Sequence, residues 1–245
     1  MNRNKLLIPF AIAALILFVP SLSQKTSEVM KVIKSQASNV LHMETTSSEN
    51  KNHDVPVIVL DAGHGGYDTG SISYSGIYEK EITLSITMKI GALLEENGYQ
   101  VVYTRTSDEV TWSNDNKEDL QARIAIAENA DADYYISIHT NASNYDDGAY
   151  GFETYLDYSD TTITSMAEQI QENLNALNYS IDRGLKSTEE SSLYVIDKNS
   201  VPAMLLELGF ITDSDDVDYM SSESGQNALA QSIADGIITT LSTSA

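Results

Sequence analysis

The chain has 245 residues, 42% of them hydrophobic, which is enough for one globular domain with a sizeable core and some chain to spare. Acids outnumber Lys and Arg by 36 to 14, and the dispersed net charge of −22 gives a solvated surface that excludes nucleic acid or an anionic membrane as a natural partner. Cysteine is absent, so disulfides and thiol chemistry are excluded, and a zinc site would have to use imidazole and carboxylate.

At the N-terminus, Arg3 and Lys5 precede an apolar run from Leu6 to Val19, and Ser21-Leu22-Ser23 offers a small-x-small cleavage site. Residues 1–23 therefore read as a secretory signal peptide or, if uncleaved, an N-terminal membrane anchor. The run is short of the roughly 20 residues a spanning helix prefers. Either way the chain is expected outside the cytoplasm, secreted or attached to a bacterial cell envelope. Residues 24–54 read as a linker. They hold His42 and His53, which have no second ligand nearby on a rigid element and are expected to be exposed and idle.

A globular domain is expected over residues 55–243. Strand signals recur at residues 56–61, 100–104, 134–138, 151–156, 193–196 and 203–207. Helical patterns lie between them. Ile82, Ile86, Ile90 and Leu94 form an i, i+4 row ending at Asn97-Gly98, although Ile82, Leu84, Ile86, Met88 and Ile90 also alternate as a strand would. Length and the Asn-Gly ending favour the helix. Leu120, Arg123, Ile124 and Ala127 suggest a second helix, Ile163 to Leu177 a third, and Leu229, Ile233, Ile237 and Leu241 a last one. Strands alternating with helices predict an α/β fold with a largely parallel sheet.

Three strand ends carry reactive side chains. The first breaks at Asp61-Ala62-Gly63-His64-Gly65-Gly66, where glycines let the backbone crowd whatever His64 holds. The third strand ends in Ser137-Ile138-His139, and the last carries Glu207 in the otherwise apolar AMLLELGF. Glu79 follows the first strand after a Tyr- and Ser-rich excursion. Zinc accepts imidazole nitrogen and carboxylate oxygen, and two His with one Glu leave a position for water. Glu207 is costly to bury unpaired, and an apolar neighbourhood would raise its pKa, which suits an acid/base. The residues alone leave other readings open. A histidine at a strand end is often structural, Glu79 beside Glu81 suits a solvated helix start, and Glu207 could pair with Arg105 or Arg123. No HExxH is present.

The blocks LDAGHGG, GIYEKEITL, YTRTSD, LQAR with ADYYISIHTNA, GFETY and PAMLLELGFITDSDD, in that order over Val57 to Leu241, resemble the zinc-dependent N-acetylmuramoyl-L-alanine amidases, the amidase 3 family. The resemblance implies an α/β fold: a mixed, mostly parallel sheet of about six strands with helices on both faces. It also implies that His64, Glu79 and His139 bind zinc, with Glu79 favoured over Glu81, and that Glu207 is the catalytic glutamate. The implied reaction is hydrolysis of the peptidoglycan amide between N-acetylmuramic acid and L-alanine; separately, the chain is expected to act as a monomer. Arg123 and Asn141 are weaker candidates for substrate contacts, and Trp112 with nearby tyrosines for a groove. Thr212-Asp213 departs from the family's usual Ser-Asn. No long insertion separates His64 from His139, so an open groove is expected. Two rivals remain: a zinc metallopeptidase cutting within the stem peptide, and a non-catalytic cell-wall binding module.

Overall fold

A computed structural model describes residues 55–144 and 147–243; the expected leader and linker, with His42 and His53, lie outside the described residues. Six strands form one sheet: β1 (Val57–Ala62), β2 (Gln100–Tyr103), β3 (Tyr134–Asn141), β4 (Phe152–Leu156), β5 (Asp182–Ser187) and β6 (Ala203–Phe210), in the order β2-β1-β3-β6-β4-β5. Every neighbouring pair is parallel except β4 with β6. The mixed, mostly parallel sheet is therefore as expected.

Alternation along the strands divides the core in two. Ile58, Leu60, Ile136, Ile138, Met204 and Leu206 face a larger layer built by α1 (Glu79–Glu96), α3 (Thr161–Ala176), α5 (Ser214–Ser221) and α6 (Glu223–Thr243). Val57, Val59, Tyr135, Ala203 and Leu205 face a smaller layer built by α2 (Asn116–Asn129) and α4 (Tyr194–Asp197). Burying each such aliphatic side chain contributes roughly 1.5–3 kcal/mol. Helices thus cover both faces, as parallel strands require.

The competing periods in the 82–94 stretch resolve as a helix. Ile82, Ile86, Ile90 and Leu94 are buried while Leu84 and Met88 are not, and Gly98 follows at φ 86°. Asp115, Asp160 and Asp213 cap the starts of α2, α3 and α5 by accepting backbone N–H bonds, which satisfies donors the helix cannot. Thr212 and Asp213, the departure in the last block, thus have local roles: Asp213 caps α5, and the Thr212 hydroxyl accepts from the Ser143 amide at 3.1 Å.

One expectation is overturned. The apolar run at residues 193–196 is not a strand; Tyr194–Asp197 is a single helical turn that tucks Val195 and Ile196 into the smaller layer. The sheet position goes to Asp182–Ser187, an edge strand paired only with β4 and too polar to show an apolar alternation. Among the described residues no helix is long and apolar enough to cross a membrane.

Candidate metal centre and acid/base site

The site lies at the C-terminal ends of β1, β3 and β6, where an α/β sheet opens its crevice. Ser137 and His139 on β3 and Glu207 on β6 share the face of Tyr135 and Leu205, and His139 and Glu207 are direct register partners. Glu79, the first residue of α1, turns inward and is only 2% exposed, so the solvated reading of that helix start does not hold.

These elements bring His64, Glu79 and His139 together. Glu79 Oε1 lies 3.1 Å from His64 Nε2 and 3.2 Å from His139 Nδ1, and one ligand atom from each residue falls within 4.8 Å of the others. The two rings meet edge to face, centroids 4.8 Å apart. The Glu79 carboxylate also accepts the amides of Thr140 and Ser71, both at 2.9 Å. Burial works against its ionisation, but hydrogen bonds from His139 and His64 prevail and hold it well below the usual carboxylate range. The imidazoles keep 22% and 20% of their side chains exposed, so the cluster is reachable from solvent. Two imidazoles and an ionised carboxylate converging in this way could hold a metal ion.

The backbone around the cluster is fixed by two buried guanidiniums. Arg105 donates to the carbonyls of Ala62, Gly63 and Lys80. Arg123 donates to the carbonyls of Ala62 and His64 and pairs with Asp61 at 2.8 Å and Asp119 at 2.6 Å. His64 can therefore be held at φ 61°, a conformation costly for any residue but glycine. Both arginines are thus occupied away from Glu207, which excludes the ion pairs entertained for it. Trp112 stacks against Arg123, 4.7 Å from ring centroid to guanidinium, as packing for that scaffold. Arg123 is a scaffold residue, and Asn141 donates to Glu153 at 2.8 Å.

Glycines complete the cradle. A Cβ on Gly63 would sit 2.4 Å from His139 Cε1, and one on Gly70 2.6 Å from Glu79 Oε2. Side chains at either position would fill the space the ligands occupy.

Glu207 stands beside this cluster without a counter-ion among the described residues. Its Oε2 is buried and has no hydrogen-bond partner among those residues. Burial, then the charges of Glu79 and Glu153, push its pKa up to about 8, against the pull of His64. A carboxylate poised near neutrality can take up and return a proton.

The family profile described as N-acetylmuramoyl-L-alanine amidase matches residues 58–239. The chain belongs to the N-acetylmuramoyl-L-alanine amidase family. Among relatives of this amidase, the uncharacterized protein YqiI of Bacillus subtilis is 37% identical, over 74% of this chain and 82% of that protein. The amidase LytC of the same organism is 36% identical over 74% of this chain, which spans only 34% of LytC. Of solved structures, the CwlD amidase of Clostridioides difficile, in complex with the GerS lipoprotein, superposes with a TM-score of 0.70 at 30% identity, covering 77% of this chain and 99% of that one. AmiC2 of Nostoc punctiforme gives 0.68 at 31% identity, covering 76% and 97%. The amidase is thus a peptidoglycan hydrolase by family and by fold.

Two functional contacts of this amidase escaped the sequence reading. Asp68 accepts a 2.7 Å hydrogen bond from His64 Nδ1, which orients the ring with Nε2 toward Glu79. Burial works to lower the His64 pKa, but the bonds to Asp68 and Glu79 lift it to about 9. An acid four residues after the histidine in a Gly-rich loop was the available signal. The second is Glu153, opposite Glu207 on β4.

Proposed function

We propose that residues 55–243 are a zinc amidase domain in which His64, Glu79 and His139 hold the metal and Glu207 is the acid/base. The observation that carries this reading is the convergence of three zinc-type donors beside one buried, unpaired carboxylate. The glycine cradle and the Asp68–His64 bond support the fit, since both fix donor positions. Zinc bound by such a set supplies Lewis-acid polarisation of a carbonyl and a water acidic enough to act near neutral pH. The rest falls to the chain's own residues. Arg105 and Arg123 hold the His64 loop in place, and Asp68 sets its tautomer. Glu207 accepts the proton of the attacking water. As the carbonyl–nitrogen bond breaks, it returns that proton to the departing nitrogen of L-alanine, leaving a carboxylate on the lactyl group of N-acetylmuramic acid.

The substrate is peptidoglycan, so action outside the cytoplasm follows, by a secreted or envelope-attached monomer. One assay tests the reading. Purified protein is incubated with peptidoglycan as wild type with zinc, wild type with chelator, and Glu207→Ala with zinc, and the products are weighed by mass spectrometry. Stem peptides with a free N-terminal alanine are expected from the first sample only. Cleavage within the stem peptide would make the protein a peptidase. Metal binding without cleavage would point to a binding module or to a missing activator.

A further inference from the structure

The row of side chains that begins at the candidate metal centre does not stop at Glu207. Glu207 is the register partner of His139 on one side and of Glu153 on the other. The pairing of β4 with β5 then shifts: Phe152 faces Asp182 and Thr154 faces Leu185, so Arg183 and Gly184 together oppose Glu153. Gly184 sits at φ 80° within this bulge. Bulges re-aim side chains, and this one sends the Arg183 side chain back toward β4 and β6. Its Nε donates to Glu153 Oε2 at 3.0 Å, its Nη1 to the Tyr150 carbonyl at 3.3 Å, and its guanidinium lies 5.0 Å from the centroid of Phe210 at the end of β6.

Arg183 is more than a counter-ion for Glu153. Glu153 Oε1 already accepts from Asn141 Nδ2 at 2.8 Å and from the Tyr155 hydroxyl at 3.0 Å. The Arg183 side chain is 35% exposed, and none of its hydrogen bonds to described residues uses Nη2. Of the cations beside the metal cluster, Lys80 pairs with Asp108 at 2.7 Å, and Arg105 and Arg123 are 4% and 3% exposed. Arg183 is thus a guanidinium with one edge anchored and one edge left to solvent. A fixed guanidinium edge is suited to a carboxylate, which it can receive with parallel hydrogen bonds.

We propose that Arg183 binds a carboxylate of the stem peptide, that of the residue following L-alanine. The inference rests on the amidase reading above. Neighbouring strands lie ~4.8 Å apart, so β5 is roughly 10 Å from Glu207 across the sheet, and an extended peptide advances ~3.4 Å per residue. With the arginine reaching inward, the second residue of the stem peptide is the one within range.

The test uses two muramoyl peptides identical except that the carboxylate on the second residue is free in one and amidated in the other. Wild type, Arg183→Lys and Arg183→Gln are assayed on both. A hydrogen bond to a charged group carries about tenfold to hundredfold in affinity. Wild type is expected to favour the free carboxylate by that factor in kcat/KM, chiefly through KM. Arg183→Gln is expected to bring the ratio close to one, and Arg183→Lys to restore part of it. The wild-type ratio alone reads the proposal even where a variant folds poorly. Cleavage of both substrates at equal rates by wild type would overturn the inference and leave the amidase reading intact, as would a ratio unchanged in Arg183→Gln. Cleavage of neither by wild type would overturn both.

Discussion

Glu153 and Glu207 are direct partners across the one antiparallel pairing in the sheet, two carboxylates side by side with opposite fates. Glu153 receives hydrogen bonds from Asn141, Tyr155 and Arg183, whereas Glu207 Oε2 receives none from any described residue. The environment supports one negative charge there and resists the second, which is the condition an acid/base needs.

That resistance costs stability, so removing the Glu207 charge is expected to stabilise the metal-free protein. The sign follows from linkage. An acid whose folded pKa of about 8 exceeds its ordinary 4.5 binds a proton in the folded state across that window. Wild-type stability therefore falls as pH rises from about 4.5 to 8. A displacement of this size corresponds to at most about 5 kcal/mol. Chelator-treated Glu207→Gln should unfold at a higher temperature than wild type at pH 8 and at nearly the same temperature at pH 4.5. It should also be inactive when reloaded with metal. Equal stability at both pH values would mean that Glu207 ionises freely.

Metal uptake is expected to compete with a proton on His64. With a pKa of about 9 in the metal-free protein, that ring is protonated at neutral pH, and a ligand nitrogen must shed its proton to bind. Apparent affinity should rise about tenfold per pH unit between pH 6.5 and 8.5, read by competition with a chromophoric chelator. Asp68→Asn should lower affinity by about 10- to 100-fold and flatten that slope, because the bond that both orients and charges the ring is weakened. A slope unchanged in Asp68→Asn would remove Asp68 from the account.

How much of this was legible in the sequence depends on whether a residue acts from its own position or through a distant partner. His64, Glu79, His139 and Glu207 each sit at or near an element boundary marked by glycine or by a break in an apolar run. Strand ends converge in any α/β sheet, so their meeting could be expected. Glu153 and Arg183 were not legible as site residues, because their role depends on β4 running against β6 and on a bulge, neither of which local pattern encodes. The same limit explains the misread run at residues 193–196. Four apolar residues cannot distinguish a strand from a helical turn that fills the smaller layer, and the true edge strand, DRGLKS, buries too little to show a period.

The Asp61–Arg123 pair should govern acid stability. Burial alone would raise the Asp61 pKa, but the Arg123 charge and the bonds from Ser137 and Thr104 hold the carboxyl far below its usual range. Its contribution is complete above the ordinary value near 4 and is lost as pH falls below it. Asp61→Asn leaves Arg123 short of one counter-ion in the interior and is expected to cost about 3 kcal/mol at pH 7. In urea titrations the gap from wild type should narrow toward pH 3. A gap independent of pH would assign the loss to packing instead.

Gly63 offers the sharpest separation of site from fold. Its amide donates to the Ile138 carbonyl at 3.0 Å, and its own carbonyl accepts from Arg105 and Thr83, both at 2.8 Å, so the backbone cannot yield. A methyl group there would overlap the His139 ring, 2.4 Å from its Cε1, and the ring would have to leave its position beside Glu79. Gly63→Ala is expected to lose most of its metal and at least ~100-fold in activity, while unfolding only about 1–3 kcal/mol more easily than wild type. Gly98→Ala is the matching control: Gly98 has φ 86° and open space around its Cβ, so it carries backbone strain without a site contact. It should cost ~1–2 kcal/mol and keep full metal content. Metal analysis of the two purified variants beside wild type decides the matter. Full occupancy in Gly63→Ala would show that the ring has room to move and that the cradle does not set the donor geometry.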